Sequence, residues 1–495
     1  MKPTRIREVP LHRTTRLELF RDLDHFDPIL DDLSRLGREV AVRLGTGQLW
    51  MLNSTQYGGG VAEMMPRVCS ILADLGVHTR WLVLEPGDPR FFPVTKGIHN
   101  LLHGVPGLED PEGARPIYDA VSEAAAAELR MLDADDVLVV HDPQPAGVGI
   151  HLPQPLRPRL IWRCHIGVPE RNEHTEAGWS FLRPYLEPYE RLLFSARTYI
   201  PDEWTEKSGE LHPGIDPLSH KNRTLRPYKL VGVLRAAGLI DGPEVPAWAR
   251  FRAQALRLKE GRFVAEPIPD LLHVPTIVQV SRFDRLKGFQ YLIPAFAHLV
   301  SDCRERSRHI RADAARLESE LERAQLILAG PDPSGVADDP EAEDVLAELC
   351  AQHAALPMEL QRRVHLLRLP MVDAKENALM VNALQRIASV VVQNSLREGF
   401  GLTVSEALWK ATPVVAANRG GIAVQMRHGT DGLLVDEPAD SEALSRALLR
   451  ILSCPLDAEA MGRSGRRRVR DHFLVLTQVQ RWLQELDQLL SSERA

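Results

Sequence analysis

Short apolar runs alternate with helical patterns along two stretches of this chain. Five runs lie in the first half and five in the second, at residues 49–52, 79–84, 136–140, 160–163, 191–194, 276–280, 325–328, 364–367, 389–392 and 413–416. Most are continuous rather than alternating polar and apolar, which is typical of parallel strands covered on both faces. Strands that alternate with helices predict doubly wound sheets with right-handed crossovers. The pattern therefore predicts an α/β chain with two Rossmann-like domains.

The stretch between the two halves, residues 221–261, is rich in Arg, Pro and Gly and has weaker strand signals. We therefore expect the domain boundary between about 220 and 265. We predict a first domain over 1–222, a second over 223–475, and a C-terminal helix over 476–495. Apolar residues recur at helical spacing from 475 to 490, so this helix has an apolar face with which to pack back on the first domain.

Composition and charge narrow the class of protein. The chain has 495 residues, of which 44% are hydrophobic and 26% charged, which suits a soluble globular protein of two or three domains. A net charge of −7 argues against a general nucleic-acid surface. Five scattered cysteines without a C-x-x-C pair predict a reduced, cytoplasmic protein, and neither a signal core nor a membrane-length apolar run is seen. The highly charged stretch 304–323 predicts a long solvated helix.

The most informative motif is Asn-Ser-Leu-Arg-Glu-Gly-Phe-Gly-Leu-Thr-Val-Ser-Glu-Ala at residues 394–407. An apolar run precedes it, and a glycine turn in its middle leads into a helical pattern. Strand, tight turn and helix N-terminus together present free backbone N–H groups and a positive dipole end, which favours a diphosphate. Glu398 lies before the turn and Glu406 about two turns into the helix. One carboxylate can therefore reach the group attached to the diphosphate, and the other a nucleoside ribose.

Two further loops follow predicted strands and are suited to bind phosphate. Gly59 and Gly60 belong to a glycine-rich turn that opens a helix and lets the backbone approach a ligand closely. Arg282 and Lys287 lie where the first strand of the second half ends, the edge at which α/β sheets bind ligands. A fixed pair of cations there can neutralise the charge that grows on a departing diphosphate.

Three polar side chains mark strand ends in the first half: Asp142, Arg163 and His165. A histidine at such an edge is more often a hydrogen-bonded core residue than a catalyst, but this edge faces the predicted ligand site. A dinucleotide-binding role is disfavoured, because Glu63 occupies the third glycine position of the fingerprint G-x-G-x-x-G. We find no metal-ligand spacing, catalytic Ser-His-Asp triad or Walker phosphate loop.

Taken together, these motifs resemble a known family. The second half is similar to glycosyltransferase family 4 in S-R-F-D-x-x-K-G, L-I-L-A-G-P and N-S-x-R-E-G-F-G-L-T-x-x-E-A. The first half resembles the narrower family of trehalose glycosyltransferring synthases in N-S-T-x-x-G-G-G-V-A-E-M, H-D-P-Q and W-R-C-H-I. By motif placement, the resemblance covers about residues 45 to 475. It implies a GT-B fold with an interdomain cleft, an acceptor domain over 1–222 and a nucleotide-sugar donor domain over 223–475.

The resemblance also implies roles for individual residues. Glu406 would hold the ribose hydroxyls, Glu398 the donor hexose, and Arg282 and Lys287 the leaving phosphates. His165 would sit beside the sugar, and Asp142 and Arg163 are expected to contact the acceptor. The diphosphate would be bound by the backbone of Gly399, Phe400, Gly401, Leu402 and Thr403, and from the first domain by Gly59 and Gly60. The resemblance also implies that the anomeric configuration is retained. It further implies that neither a protein-bound metal nor a tightly bound cofactor is needed, with Mg²⁺ as a possible stimulant.

The hypothesis that follows is a retaining transferase that moves glucose from ADP-glucose or UDP-glucose to free glucose, giving α,α-trehalose. Another acceptor, such as a sugar phosphate or a polyol, is an open alternative. A third hypothesis is a protein that binds nucleotide sugars without turnover. The sequence leaves open the nucleobase, the direction of flux and the oligomeric state, for which a homodimer is one option.

Overall fold

A computed structural model describes residues 3–11, 16–21, 23, 26–56, 59–153, 157–243, 245–246, 250–307, 321–335 and 341–492. Most of the charged segment 304–323 lies outside these residues. The chain divides into two compact units, Met1–Asp216 with His472–Ala495, and Pro217–Asp471. The boundaries predicted from the sequence lie a few residues later, after 222 and 475.

The elements are numbered here in chain order. The strands are β1 Arg5–Val9, β2 Leu49–Asn53, β3 Thr79–Glu85, β4 Val137–His141, β5 Arg159–Cys164, β6 Arg191–Phe194, β7 Ser208–Glu210, β8 Leu256–Lys259, β9 Arg262–Val264, β10 Thr276–Val280, β11 Gln325–Pro331, β12 Val364–Leu369, β13 Val390–Gln393, β14 Val414–Ala417 and β15 Leu433–Val435. The helices are α1 Asp27–Leu44, α2 Gly59–Asp74, α3 Phe91–Leu102, α4 Pro111–Glu128, α5 Val148–His151, α6 Glu173–Leu186, α7 Pro227–Ala236, α8 Leu292–Ser307, α9 Ala342–Ala354, α10 Met358–Gln361, α11 Ala374–Ile387, α12 Leu402–Trp409, α13 Gly420–Gln425, α14 Ser441–Ser453, α15 Pro455–His472 and α16 Val475–Ser491.

The first unit is built on a seven-stranded sheet in the order β1-β3-β2-β4-β5-β6-β7. All neighbouring strands are parallel except β1, which runs antiparallel to β3. Every residue of β2, β4 and β5 is buried, because helices cover both faces of a doubly wound sheet. The chain order reverses between β2 and β4, and ligands of open α/β sheets bind beyond the carboxyl ends of strands at such a switch point.

The last helix, α16, completes the first unit by packing against α1 and α2. Its buried face carries Trp482, Leu483 and Leu486. An ion pair of 2.7 Å between Arg191 Nε and Glu485 Oε2 also ties this helix to β6. Burial of large apolar side chains provides most of the stabilisation, since each contributes about 1.5–3 kcal/mol.

The second unit contains an eight-stranded sheet in the order β15-β14-β13-β10-β11-β12-β8-β9. The six strands from β15 to β12 are parallel, whereas β8 and β9 extend one edge as antiparallel strands. In this sheet the chain order reverses between β10 and β13. The loops that follow these two strands are therefore brought together at a topological switch point.

All ten predicted strands are present, within a residue or a few of their expected bounds. The pattern missed β1, β7, β8, β9 and β15, which are short or lie at sheet edges where polar side chains face solvent. The predicted terminal helix is also confirmed. No helix in the described part of the chain is both long and apolar enough to cross a membrane.

Candidate active site

The centre of the site lies at the switch point of the second unit. Lys287 Nζ is 2.7 Å from Glu398 Oε2, and Ser395 Oγ donates a hydrogen bond of 3.1 Å to the same oxygen. The side chains of Lys287 and Glu398 are 17% and 14% exposed, so the ion pair is sheltered but reachable. Arg282 begins the same loop as Lys287 and is 52% exposed, with its guanidinium 3.7 Å from Asp284 Oδ2.

A buried glutamine on β10 holds the two loops at this spacing. Gln279 Nε2 donates to the carbonyl oxygen of Lys287 at 2.8 Å, and Gln279 Oε1 accepts from the backbone N–H of Asn394 at 3.0 Å. Between them, Gly288 adopts φ +66°, and a side-chain carbon there would lie 2.1 Å from the Asn394 carbonyl oxygen. Only glycine permits this approach, so the backbone itself fixes where the Lys287 ammonium can reach.

The Gly-Phe-Gly turn leads directly into α12. Gly401 has φ +80°, the left-handed region that favours glycine, and Leu402 is the first helical residue. The N–H groups of a first helical turn lack partners within the helix and carry the positive end of its dipole. The turn therefore places backbone donors beside Glu398, in an arrangement that can bind a diphosphate.

Glu406 lies farther along α12 and is nearly buried. Its Oε1 is 3.6 Å from Lys221 Nζ. The buried ammonium of Lys410 donates to the Glu406 carbonyl oxygen at 2.9 Å and to Asn222 Oδ1 at 3.2 Å. Burial lowers the pKa of Lys410 to about 7, against the charge of Glu406, which raises it. The Glu406 carboxylate, with one lysine ammonium nearby, can accept hydrogen bonds from ligand hydroxyls.

The second unit also has a cavity of about 970 Å³ at the carboxyl ends of β11 and β12. Arg368 and Asp332 line it as an ion pair of 2.6 Å, and Met371 and Val372 add exposed apolar surface. The carboxyl ends of parallel strands share one edge, so this cavity lies on the same sheet edge as the Lys287 and Glu398 loops. Its volume is in the range of small-molecule and cofactor sites.

In the first unit, two histidines meet at the ends of adjacent strands. His141 Nδ1 lies 2.9 Å from His165 Nε2, and the two rings are nearly parallel with centroids 5.3 Å apart. Asp142, which follows β4 with φ +65°, accepts the backbone N–H of His165 at 2.7 Å. The predicted residues Asp142 and His165 are therefore in contact, and the His141 ring packs against the His165 ring.

Burial governs the protonation of this group. Desolvation, reinforced by Arg163, lowers the pKa of His141 to about 3 and that of His165 well below its usual value. Both rings are thus neutral near pH 7, and one ring N–H can donate to the other ring. Desolvation also raises the pKa of Asp142 to about 6, against the lowering effect of its bond from His165.

Arg163 does not have the placement expected for an acceptor contact. Its guanidinium is buried inside the first unit and donates to Ser195 Oγ at 3.1 Å and to the carbonyl oxygens of Cys164, Leu193 and Leu211. Burial lowers its pKa to about 10. The side chain points across the strand ends towards neighbouring backbone rather than towards solvent, so its contacts are those of a structural residue.

Gly59 and Gly60 are the first residues of α2, which follows β2. Because β2 and β4 are adjacent and parallel, this helix start shares a sheet edge with Asp142. Two supporting polar residues of the second unit, Gln279 and Lys410, were not predicted from the sequence. Their only sequence signal is a polar side chain within or beside an apolar run. Among the residues that the structure describes, no group of three or more His, Cys, Asp or Glu side chains could hold a metal ion.

Known proteins resemble this chain in sequence and in fold. A family model described as the N-terminal domain of trehalose synthase matches residues 51–201, and one described as glycosyl transferases group 1 matches residues 272–468. A solved α,α-trehalose-phosphate synthase (UDP-forming) from Burkholderia vietnamiensis aligns with TM-score 0.64 at 15% identity, covering 89% of this chain and 98% of that chain. The structural likeness confirms the predicted GT-B fold, with its two Rossmann-like domains.

Sequence relatives extend over nearly the whole chain. The trehalose synthase of Thermococcus litoralis is 31% identical over 477 residues, which cover 95% of this chain and 97% of that protein. The trehalose phosphorylase of Pleurotus sajor-caju is 31% identical over 437 residues, 82% of this chain but 52% of that longer protein. The match to the first relative covers almost the full length of both chains, and both family models agree with it. The chain therefore belongs to the trehalose synthase family of glycosyltransferases.

Proposed function

We propose that this protein is a retaining glucosyltransferase that makes α,α-trehalose from a nucleoside diphosphate glucose and free glucose. The bond between the glucose anomeric carbon and the diphosphate oxygen breaks, and the anomeric carbon bonds to the acceptor hydroxyl oxygen. The proton of that hydroxyl is lost as the bond forms, and the departing diphosphate, which gains negative charge, can take it up. Trehalose synthases are the full-length relatives, which supports both the donor sugar and the product.

The Lys287–Glu398 ion pair beside the glycine turn carries this proposal. Negative charge accumulates on the leaving diphosphate only as the glycosidic bond breaks, so fixed cations there stabilise the transition state more than the bound donor. Lys287 and Arg282 supply those cations from one loop. The α12 N-terminus supplies backbone donors, and we assign the contact with the donor hexose to Glu398, which is paired with Lys287.

The remaining donor contacts follow from the same sheet edge. We assign the ribose hydroxyls to Glu406, whose carboxylate is already ordered by Lys221. The cavity lined by Met371 and Val372 supplies room for a nucleobase, whose flat faces suit apolar contact. Backbone N–H groups from Gly399 to Thr403 are assigned to the diphosphate.

In the first unit, we assign His165 to the transferred sugar, Asp142 to the acceptor, and Gly59 and Gly60 to the diphosphate. His165 is neutral, so it can donate or accept a hydrogen bond without adding charge. We propose that no tightly bound cofactor takes part, since Lys287 and Arg282 can balance the leaving-group charge. Mg²⁺ is then at most a stimulant.

The test is incubation of the purified protein with ADP-glucose or UDP-glucose and ¹³C-labelled glucose, with the products resolved by carbon NMR. The expected product is a non-reducing disaccharide in which both anomeric carbons are α. A panel with glucose 6-phosphate and polyols tests the acceptor. Transfer to one of these alone would reject free glucose as acceptor, and no consumption of either donor would reject the proposal.

The phosphorylase relative supports a second candidate, in which inorganic phosphate replaces the nucleoside diphosphate. The same cations and helix N-terminus can bind orthophosphate, so the phosphate-binding groups alone do not separate the two. Incubation of trehalose with phosphate, without nucleotide, distinguishes them. Release of glucose 1-phosphate would favour the phosphorylase, whereas a strict requirement for ADP or UDP would favour the transferase.

A further inference from the structure

A single buried amide is hydrogen-bonded to two residues of the Gly-Phe-Gly turn, Phe400 and Gly401. Gln425 is the last residue of α13 and is fully buried. Its Oε1 accepts hydrogen bonds from the backbone N–H and the hydroxyl of Ser405, at 3.0 and 2.6 Å. Its Nε2 lies within donating distance of three carbonyl oxygens, those of Phe400, Gly401 and Gly421. One side chain thus ties the turn to both α12 and α13.

These bonds determine which way the peptide groups of the turn face. In a trans peptide, the C=O and the following N–H point in opposite directions. Gln425 draws the carbonyl oxygens of Phe400 and Gly401 towards the interior. The N–H groups of Gly401 and Leu402, which belong to the same two peptides, therefore point away from it, outward from the buried amide.

The backbone that carries Gln425 is itself held in place. Arg468 Nε donates to the Gln425 carbonyl oxygen at 2.9 Å, and the Arg468 guanidinium also donates to the Val424 carbonyl oxygen at 2.8 Å. The main chain at Gln425 is therefore anchored by contacts outside the turn. It acts as a fixed point against which the orientation of the two peptides is set.

We propose that Gln425 is a positioning residue for anion binding, which aims the N–H groups of Gly401 and Leu402 at the diphosphate of the donor. This inference rests on the proposed function, because it assigns the orientation of that same phosphate site. Without the amide, the carbonyl oxygens of the turn are free to rotate towards the anion and repel it. The loss should therefore be specific to ligands that carry phosphate.

The test compares Gln425→Glu and Gln425→Met with wild type in calorimetric titrations with ADP, UDP, pyrophosphate and the two parent nucleosides. Glutamate keeps the acceptor for Ser405 but cannot donate to the three carbonyl groups, and methionine removes both functions. We expect the affinity for pyrophosphate, and for whichever of ADP and UDP binds more tightly, to fall about 10- to 100-fold in the variants. This is the size of loss expected when well-oriented hydrogen bonds to a charged group are removed. Nucleoside affinity should stay within about twofold of wild type.

A purely structural role would lower the affinity for all ligands alike, since it would act through the folded fraction. Gln385→Met is the matched control, because Gln385 is also a fully buried glutamine of the second unit but lies on α11. If both Gln425 variants fold poorly, Ser405→Ala is the substitute test, because it removes only the 2.6 Å hydrogen bond from the Ser405 hydroxyl that orients the amide. We expect this variant to lose about threefold in affinity, again only for ligands that carry phosphate.

Equal losses for nucleosides and diphosphates, or unchanged diphosphate binding in the variants, would overturn the inference. So would a wild-type protein that binds neither the diphosphates nor pyrophosphate. A protein that binds pyrophosphate in a Gln425-dependent way yet consumes no donor would keep the inference and reject the proposed function.

Discussion

The ammonium nitrogen of Lys287 lies 2.7 Å from Glu398 Oε2, although 111 positions separate the two residues in the chain. They meet because β10 and β13 are neighbours in the sheet, and because Gln279 bonds to the loops that follow both strands. The pair therefore depends on the fold rather than on local sequence. In the function proposed above, its cation serves the leaving phosphate and its carboxylate the donor sugar.

We predict that Lys287→Met lowers kcat by about 100-fold or more, because the fixed charge acts where the leaving group becomes negative. The free energy of unfolding should fall by about 1–3 kcal/mol at most, since Glu398 keeps its bond from Ser395. Steady-state kinetics and chemical denaturation measure the two effects.

Lys259→Met is the control for Lys287, because Lys259 forms an equally short ion pair with Glu266 on an exposed part of the second unit. It should leave kcat unchanged and cost less than about 1 kcal/mol. An unaltered kcat in Lys287→Met would remove that residue from the mechanism.

Gly288→Ala should displace the Lys287 loop. The added carbon would lie 2.1 Å from the Asn394 carbonyl oxygen, at a φ of +66° that alanine rarely adopts. We expect a loss of about 1–3 kcal/mol in the free energy of unfolding and a larger relative loss of kcat. Gly232→Ala, in α7 with nothing within 4 Å of the added carbon, should instead stabilise by up to about 1 kcal/mol. Equal behaviour of the two variants would contradict the steric argument.

Arg163→Met separates a structural role from the acceptor contact that the sequence indicated. The change leaves the Ser195 hydroxyl and three buried carbonyl oxygens without their donor, so unfolding should become easier by about 4 kcal/mol or more. Thermal unfolding should show this loss, whereas Arg90→Met, at an exposed position of the same unit, should change stability by less than about 1 kcal/mol. A stable Arg163→Met protein with a raised KM for the acceptor would restore the original assignment.

The histidine pair predicts the pH dependence of stability. The pKa of His141 is about 3 in the folded protein and about 6.5 when unfolded, so the unfolded chain binds the extra proton first. His141 therefore contributes stability that is present above pH 6.5 and is lost as the pH falls towards 3. His165, whose pKa is also lowered, acts in the same direction.

His141→Gln should reduce the slope of unfolding free energy against pH between 6.5 and 4.5 by up to about 1.4 kcal/mol per pH unit. Asp142 works the opposite way, since its raised pKa favours the folded state as the pH falls through 6. Because Asp142 is present in both proteins, its contribution cancels in the difference between the pH profiles of His141→Gln and wild type. His174→Gln, at a partly exposed ring, serves as control, and parallel pH profiles for His141→Gln and wild type would refute the prediction.

The sequence predicted strand positions best where a buried strand is apolar along its whole length. The runs at 137–140 and 390–392 are uniformly apolar because helices cover both faces of the sheet, and such runs predicted the position of every central strand. The edge strand β1 was missed because four of its five residues are at least partly exposed, so its polar side chains give no apolar run.

The residues of the candidate site also divide into those that the sequence could predict and those that it could not. Glu398 and Lys287 could be named because each belongs to a local motif beside a strand end. Gln279 and Gln425 could not, since their bonding partners lie about 115 and 20 positions away and are determined only by the packing of the sheet. The sequence could not distinguish an acceptor contact from a structural role for Arg163, because an arginine at a strand end looks the same whether it faces a ligand or the neighbouring backbone.

The return of α16 to the first unit has a consequence for biosynthesis. The second unit is one continuous segment, so all of its residues have been translated once synthesis reaches residue 471. The first unit is not continuous, because the helix that covers α1 is translated only after residue 471. Until then, the face of α1 that packs against α16 is uncovered on the nascent chain. The domain whose synthesis begins first is thus one that cannot complete its fold until the last helix of the chain has been made.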